Sequence, residues 1–340
     1  MGGALALHGA GMSADLALQY FSSLNLKVLF FVDNDRSKIG SKISGIEVVG
    51  IDDEHLHDVK FVAITSFAVA PISKQYEEKA GWISTFSFNC LYCCNKFEIY
   101  VNAWNRFFLD DESKDVFECC LYTLLTADDS AFRDLYEPDQ YFAVPEFSSL
   151  CGECIVDAGA FVGDSLERSL FHSRILPRKY YAFEPGEAQY AALKKRIDRL
   201  KQEWAIGEDV LIPVNAGVGA KEETLRMTNA NNSSTLSLKN LEENDSDSSG
   251  GVLQIHSIDE FLPGEKISLI KADMEGMEAD LLHGAEQCIR RNKPKMAICV
   301  YHLPCDIFVI PEILYEFNTE YRFVLRAHST SYSEVVCYAY

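Results

Sequence analysis

An acid, two glycines four residues apart and a second acid form the first run able to do chemistry: Asp157-Ala158-Gly159-Ala160-Phe161-Val162-Gly163-Asp164. Cys154-Ile155-Val156 lead into it and a helical period from 165 to 171 follows, so the run reads as strand, tight turn and helix N-terminus. Gly159 permits a backbone angle that side chains resist, and Gly163 lets a ligand come close to the main chain. Ala160 and Phe161, between the glycines, would border that ligand. Bare amides at such a turn attract a pyrophosphate, whereas Asp157 and Asp164 bring carboxylates that repel one. A cationic ligand with hydroxyls fits the charge. S-adenosylmethionine, with an ammonium, a sulfonium and a ribose, meets both requirements.

A second acid falls at the expected distance. Lys179-Tyr180-Tyr181-Ala182-Phe183-Glu184-Pro185 is a short aromatic strand whose terminal Glu184 is placed to hold two ribose hydroxyls, with Pro185 fixing the next turn. A third strand, 210–214, ends in Asn215-Ala216-Gly217 beside the same crevice. Asn215 could bond an adenine there, or serve as a turn former.

The other chemical run is Ile267-Ser268-Leu269-Ile270-Lys271-Ala272-Asp273-Met274-Glu275-Gly276-Met277-Glu278. An apolar strand ends in three acids, and Leu281, Leu282, Ala285 and Ile289 then share one helix face. Carboxylates at the end of a central strand can act as general base, metal ligand or cation stabiliser. Glu278 reads as a favourable charge at a helix N-terminus; Asp273, at the strand end, needs another explanation. The next strand, 295–300, ends in Tyr301-His302, and a histidine there can take a proton from a hydroxyl near neutral pH.

Strands and helices alternate from 154 onward, which calls for an open α/β sheet with a crevice at its strand ends. The segments 229–237 and 242–251 are polar, Ser- and Asn-rich loops, suited to a lid or a connector. The tail, 321–325 and 334–340, reads as an antiparallel strand pair with Arg326 and His328 between.

Upstream, residues 1–95 form a small α/β unit of their own. Strand 4–8 is followed by Gly9-Ala10-Gly11-Met12-Ser13-Ala14, a helix over 15–21 and a strand over 27–32 that ends in Asp33. That is a G-x-G-x-x-A fingerprint with its acid about 20 residues on. Strand 60–65 implies a parallel sheet, and 45–49 a hairpin-edge strand. Such a unit can bind a nucleotide or serve for docking and pairing of protomers. Helices over 97–109 and 114–126, with acids 110–112 as a start signal, bridge to the second half.

A chain of 340 residues with 48% hydrophobic and 24% charged composition suits two globular units. The net charge of −20 argues against nucleic acid and anionic membrane as partners. No apolar run is long enough to span a bilayer, and the N-terminus lacks basic residues before Lys27, so the expected location is the cytoplasm. Eleven cysteines, an odd number, suit reduced thiols. Cys151-x-x-Cys154 lacks the two further ligands a zinc site needs. No metal is predicted, although the carboxylates would hold a divalent ion if one is used.

With these motifs in order, the chain resembles the FkbM family of S-adenosylmethionine-dependent methyltransferases over residues 141–340. The likeness rests on the 156–164 run, Ala182-Phe183-Glu184-Pro185, the 271–278 run, Leu282-His283-Gly284-Ala285 and Tyr301-His302. It implies a class I methyltransferase-like Rossmann sheet of seven strands with an antiparallel last pair, preceded by the smaller Rossmann-like domain (1–95) and a helical bridge (96–140). By that resemblance Asp157, Gly159, Gly163, Asp164 and Glu184 hold the cofactor, while Asp273, Glu275 and His302 face the acceptor. The implied reaction is methyl transfer to an oxygen of a small molecule or glycan. Two rivals stand beside it: an NAD-dependent or nucleotide-sugar oxidoreductase or epimerase using the N-terminal fingerprint, and a non-catalytic cofactor-binding scaffold. The first lacks a convincing Tyr-x-x-x-Lys pair.

Overall fold

A computed structural model describes residues 3–148, 153–173, 176–227, 238–240 and 252–340. The N-terminal elements are β1 (Ala4–His8), α1 (Ala14–Ser23), β2 (Lys27–Val32), β3 (Lys42–Ile43), β4 (Ile46–Val49), β5 (Phe61–Ile64), α2 (Val69–Lys79) and β6 (Ser84–Ser87). They make a six-strand sheet in the order β3-β4-β2-β1-β5-β6. It is parallel except for the β3–β4 hairpin at its edge.

Three helices follow: α3 (Phe88–Asn95), α4 (Phe97–Phe107) and α5 (Asp111–Thr126). Asp110 is the N-cap of α5, accepting from Ser113 N at 3.0 Å. Such a cap satisfies an amide that the helix itself leaves unpaired. Tyr100, Phe107, Phe108 and Phe117 from this region share one core with Val156, Ile270 and Ile298 of the large sheet. The aromatic stripe is packing.

The second half runs β7 (Cys154–Ala158), α6 (Asp164–Ser173), β8 (Lys179–Phe183), α7 (Glu187–Glu203), β9 (Leu211–Val214), β10 (Gly217–Val218), β11 (Glu223–Met227), β12 (Leu238–Asn240), β13 (Val252–His256), α8 (Ile258–Phe261), β14 (Leu269–Ala272), α9 (Glu278–Gly284), α10 (Glu286–Asn292), β15 (Lys295–Cys299), α11 (Asp306–Phe317), β16 (Phe323–Ala327) and β17 (Val335–Ala339). Seven of these strands form one sheet, β16-β17-β15-β14-β7-β8-β9, in which β17 alone runs against its neighbours. Strands β10 to β13 make a separate four-strand sheet. The α/β class and the antiparallel last pair agree with the sequence; Arg326, expected between the last strands, lies inside β16.

Every residue of β7 is buried because both faces of the sheet are covered. Val156 and Ala158 enter one core and Ile155 the other. Among the described residues no helix is long and apolar enough to cross a membrane. Ten cysteines among them are free; Cys151 lies outside the described residues, as do the lid candidates 229–237 and 242–251.

Candidate active site

The site is built where β7, β8, β14 and β15 end side by side. Gly159 takes φ +76° and Gly163 φ +81°, the left-handed region that favours glycine. The amides of Gly159 and Ala160 donate to the Phe183 carbonyl at 3.1 and 2.9 Å, tying the turn to the end of β8. A Cβ on Gly159 would lie 1.9 Å from the Asp273 carbonyl oxygen. The glycine therefore brings the ends of β7 and β14, and with them the two chemical runs, into contact.

Asp157 is fully buried beneath this turn. Its Oδ2 accepts from Ser165 Oγ at 2.8 Å and Tyr180 Oη at 2.7 Å, and its Oδ1 is 2.9 Å from Lys271 Nζ. Lys271 also donates to the Gly159 carbonyl at 2.8 Å. Burial opposes the ammonium, yet Asp157 and then Asp273 hold its proton affinity above the usual lysine value. Asp157 thus braces the turn from below, with three side chains as partners. Asp164 stands exposed as the first residue of α6.

Glu184 is turned inward. Only 8% exposed, it accepts from Phe161 N at 2.9 Å and Gly186 N at 2.8 Å. Burial raises its carboxyl above the usual value, and those two amides lower it again in part. Phe161 is half exposed at φ +48°, beside Ala160, which is fully buried. Asn215 donates to the carbonyls of Glu184 and Pro185 at 2.9 and 3.3 Å, the turn-former's role, and Ala216 is buried next to it.

Across the turn, Asp273 has partners in three directions. Tyr301 Oη donates to Oδ1 at 3.1 Å, Tyr141 Oη to Oδ2 at 3.4 Å, and His302 Nε2 lies 3.3 Å from Oδ1. The other ring nitrogen of His302, Nδ1, is 2.8 Å from Glu278 Oε1. Burial alone would lower the imidazole, but Glu278 and then Asp273 outweigh it and raise the ring to about 9. At neutral pH His302 therefore carries its proton already, which disfavours it as the group that collects one. Glu275 is half-buried at φ +56° in the same loop. Glu334, just before β17, is half-buried and hydrogen-bonded by Gln140; burial and then Asp273 raise its carboxyl.

Sequence reasoning missed five of these groups. Lys271 had a signal, a lone charge in an apolar strand. Glu278, read as a helix-start charge, is fully buried and accepts from Met274 N at 2.6 Å. Tyr301 was named only as the neighbour of His302 at the strand end, without a role, and Tyr141 and Glu334 come from a connecting segment and a turn, where no spacing marks them.

At the N-terminal fingerprint Asp33 is occupied locally. Its Oδ2 accepts from Ala10 N and its Oδ1 from Asp35 N, both at 2.8 Å, and Lys38 Nζ is 3.5 Å away. Met12 of that glycine turn reaches the acidic loop, 3.4 Å from where a Cβ on Gly276 would stand.

The family model described as the methyltransferase FkbM domain matches residues 157–328, half of the chain. The crystal structure of methyltransferase FkbM from Methylobacillus flagellatus KT is similar over 99% of this chain and 90% of that one, with TM-score 0.61 and 20% identity, a likeness of fold. UDP-D-quinovosamine 4-dehydrogenase from Vibrio fischeri matches 28% of this chain and 87% of that one, at 17% identity and TM-score 0.23. Aeropyrum pernix fibrillarin, in complex with natively bound S-adenosyl-L-methionine, matches 58% and 70%, at 12% identity and TM-score 0.35. The last two scores are too low to carry an argument. No curated protein sequence matches the chain.

Proposed function

The chain belongs to the FkbM methyltransferase family, and from that premise we propose that it methylates an oxygen of a sugar, glycan or other small metabolite with S-adenosylmethionine. The observation that carries the reading is the inward Glu184, held over the glycine turn by the Phe161 and Gly186 amides. The donor set fits the cofactor and misfits a diphosphate: carboxylates of Glu184, Asp273 and the exposed Asp164 border the crevice, and the buried ammonium of Lys271 is spent on Asp157. The cofactor, when bound, supplies a methyl group already activated by its sulfonium.

What remains for the protein is alignment and proton removal. Glu184 would accept the ribose hydroxyls, with Phe161 beside the adenine or ribose face. Asp157 and Lys271 fix the turn without touching the ligand. On the acceptor side Asp273, its two oxygens oriented by Tyr301 and Tyr141, would align the nucleophilic hydroxyl and take its proton as the oxygen–methyl bond forms and the carbon–sulfur bond breaks. His302 Nε2 lies beside Asp273 Oδ1 at 3.3 Å. Glu275 borders the same loop.

Calorimetry with S-adenosylhomocysteine tests the cofactor half directly. Micromolar binding to the native chain, weakened about tenfold to a hundredfold in Glu184→Gln through loss of a charge-assisted hydrogen bond, is the expected result. Absence of binding, or unchanged affinity in the variant, would remove the assignment. Methyl-labelled cofactor with a panel of sugars and sugar nucleotides then finds the acceptor; product labelled on nitrogen rather than oxygen would overturn O-methylation.

A further inference from the structure

The second cluster behind the crevice goes beyond methyl-group binding. His302 follows β15 and Asp273 follows the adjacent parallel strand β14, so the two side chains leave neighbouring strand ends together. Glu278, the first residue of α9, closes the other side of the ring. One ligand atom from each of Asp273, Glu278 and His302 lies within 4.8 Å of the other two.

We infer that His302 Nε2, releasing its proton to solvent, and Asp273 Oδ1 chelate a divalent cation behind the crevice, with Glu278 fixing the imidazole from the other side. Three observations carry it. First, Nε2 and Oδ1 are 3.3 Å apart. Two ligands bound side by side on one ion at about 2.1 Å each stand about 3.0–3.4 Å apart. Second, His302 is more than nine-tenths buried, yet its Nε2 makes no aligned hydrogen bond; Glu278 Oε2 is likewise buried and unbonded. Buried polar atoms are nearly always paired, so such a group calls for an occupant. Third, Glu278 Oε1 sits 2.8 Å from Nδ1, the nitrogen facing away from Asp273. A metal-binding histidine commonly donates its second N–H to a carboxylate, which fixes the tautomer and strengthens the ligand.

One imidazole and one carboxylate, the remaining positions left to water or substrate oxygens, suit Mn²⁺ or Zn²⁺ better than Ca²⁺. Asp273 is a quarter exposed while His302 and Glu278 are sealed, so the open coordination positions face the crevice. On the methyl-transfer reading, a cation there would bind an acceptor with adjacent hydroxyls and make one of them easier to deprotonate. Oδ2 of Asp273, next to Tyr141, stays available to the acceptor.

Mn²⁺ alone is the probe, because the chain's eleven cysteines would also take up Zn²⁺. Electron paramagnetic resonance of the full chain, without cofactor or acceptor, should show one tight Mn²⁺ per chain with a ¹⁴N coupling from the imidazole. His302→Gln and Asp273→Asn should each weaken binding more than tenfold, and Glu278→Gln about tenfold to a hundredfold. Cys299→Ala should leave it unchanged, since that thiol belongs to a different grouping around Asp273. No binding at millimolar Mn²⁺, no ¹⁴N coupling, or full binding in both His302→Gln and Asp273→Asn would overturn the site. The coupling is read on the native chain and so decides the matter even if a variant fails to fold. S-adenosylhomocysteine calorimetry in chelator, run in parallel, reports the methyl-transfer reading by itself: its failure sinks that reading and leaves the metal site standing, and the reverse holds.

Discussion

Lys271 Nζ lies 2.9 Å from Asp157 Oδ1 and 2.8 Å from the Gly159 carbonyl, so one buried ammonium joins β14 to the strand end and turn of β7. Removing it in Lys271→Met leaves Asp157, which is fully buried, without its counter-charge. Breaking a buried pair from one side costs about 3–5 kcal/mol. Lys271→Met should therefore show a large loss in urea unfolding of the C-terminal sheet. Adding Asp157→Asn, which keeps an acceptor for Ser165 and Tyr180, should recover most of it. A single variant as stable as the native chain would show that the pair contributes nothing.

Gly159 and Gly45 share nearly the same backbone angle, φ +76° and +78°, but differ in surroundings. A Cβ at Gly45 meets nothing within 4 Å, whereas one at Gly159 meets the Asp273 carbonyl oxygen at 1.9 Å. Gly45→Ala should cost about 1 kcal/mol from backbone strain. Gly159→Ala must add displacement of the β14 end, so its loss of stability should be several times larger and accompanied by loss of S-adenosylhomocysteine binding. Equal effects of the two substitutions would mean that the turn yields to a methyl group.

The strands at 4–8 and 27–32, the glycine turn and the acid after the second strand of the large sheet were legible because each rests on a local pattern. The periodicity of apolar residues sets the strand, and positive φ favours glycine. Helix α2 was not read: its segment carries Pro71 and buries only Ile72 and Tyr76 along its length, so no apolar stripe marks it. The depth of Glu278 was hidden for another reason. A glutamate at a helix start is favourable in water as well as in a core, and only the tertiary approach of His302 separates the two cases. Tyr141 meets Asp273 across 132 positions of sequence, a pairing that no local rule can supply.

Ser113 links the helical region to the large sheet. Its hydroxyl accepts from Leu325 N of β16 at 2.8 Å and contacts Arg326 Nη1 at 3.2 Å, and the residue is fully buried. Ser113→Ala leaves the Leu325 amide unpaired in the core, costing about 1–3 kcal/mol. Ser113→Thr keeps the acceptor but adds a methyl group to a closed site, and should lose less. Denaturation midpoints measure both; a neutral Ser113→Ala would show that water reaches the amide.

Acid should weaken the fold through His8 and His328. Burial lowers both rings from 6.5 to about 4, keeping them neutral. His8 Nδ1 lies 3.0 Å from Tyr76 Oη, and His328 contacts the Glu137 carbonyl at 2.7 Å and Tyr338 Oη at 2.8 Å. In the unfolded chain each ring binds a proton as pH falls through about 6.5, while the folded chain takes it only near 4. Between those values the unfolded state holds more protons, so stability falls with falling pH. The contribution is complete above about 6.5 and lost towards 4, up to about 3 kcal/mol per ring. Other buried groups titrate in the same window, so the histidine share is read as a difference. The pH slope of the native chain should exceed that of His8→Gln, and that of His328→Gln, between pH 6.5 and 4.5. Identical slopes, or histidine resonances titrating near 6.5 by NMR in the folded chain, would show that these rings meet water.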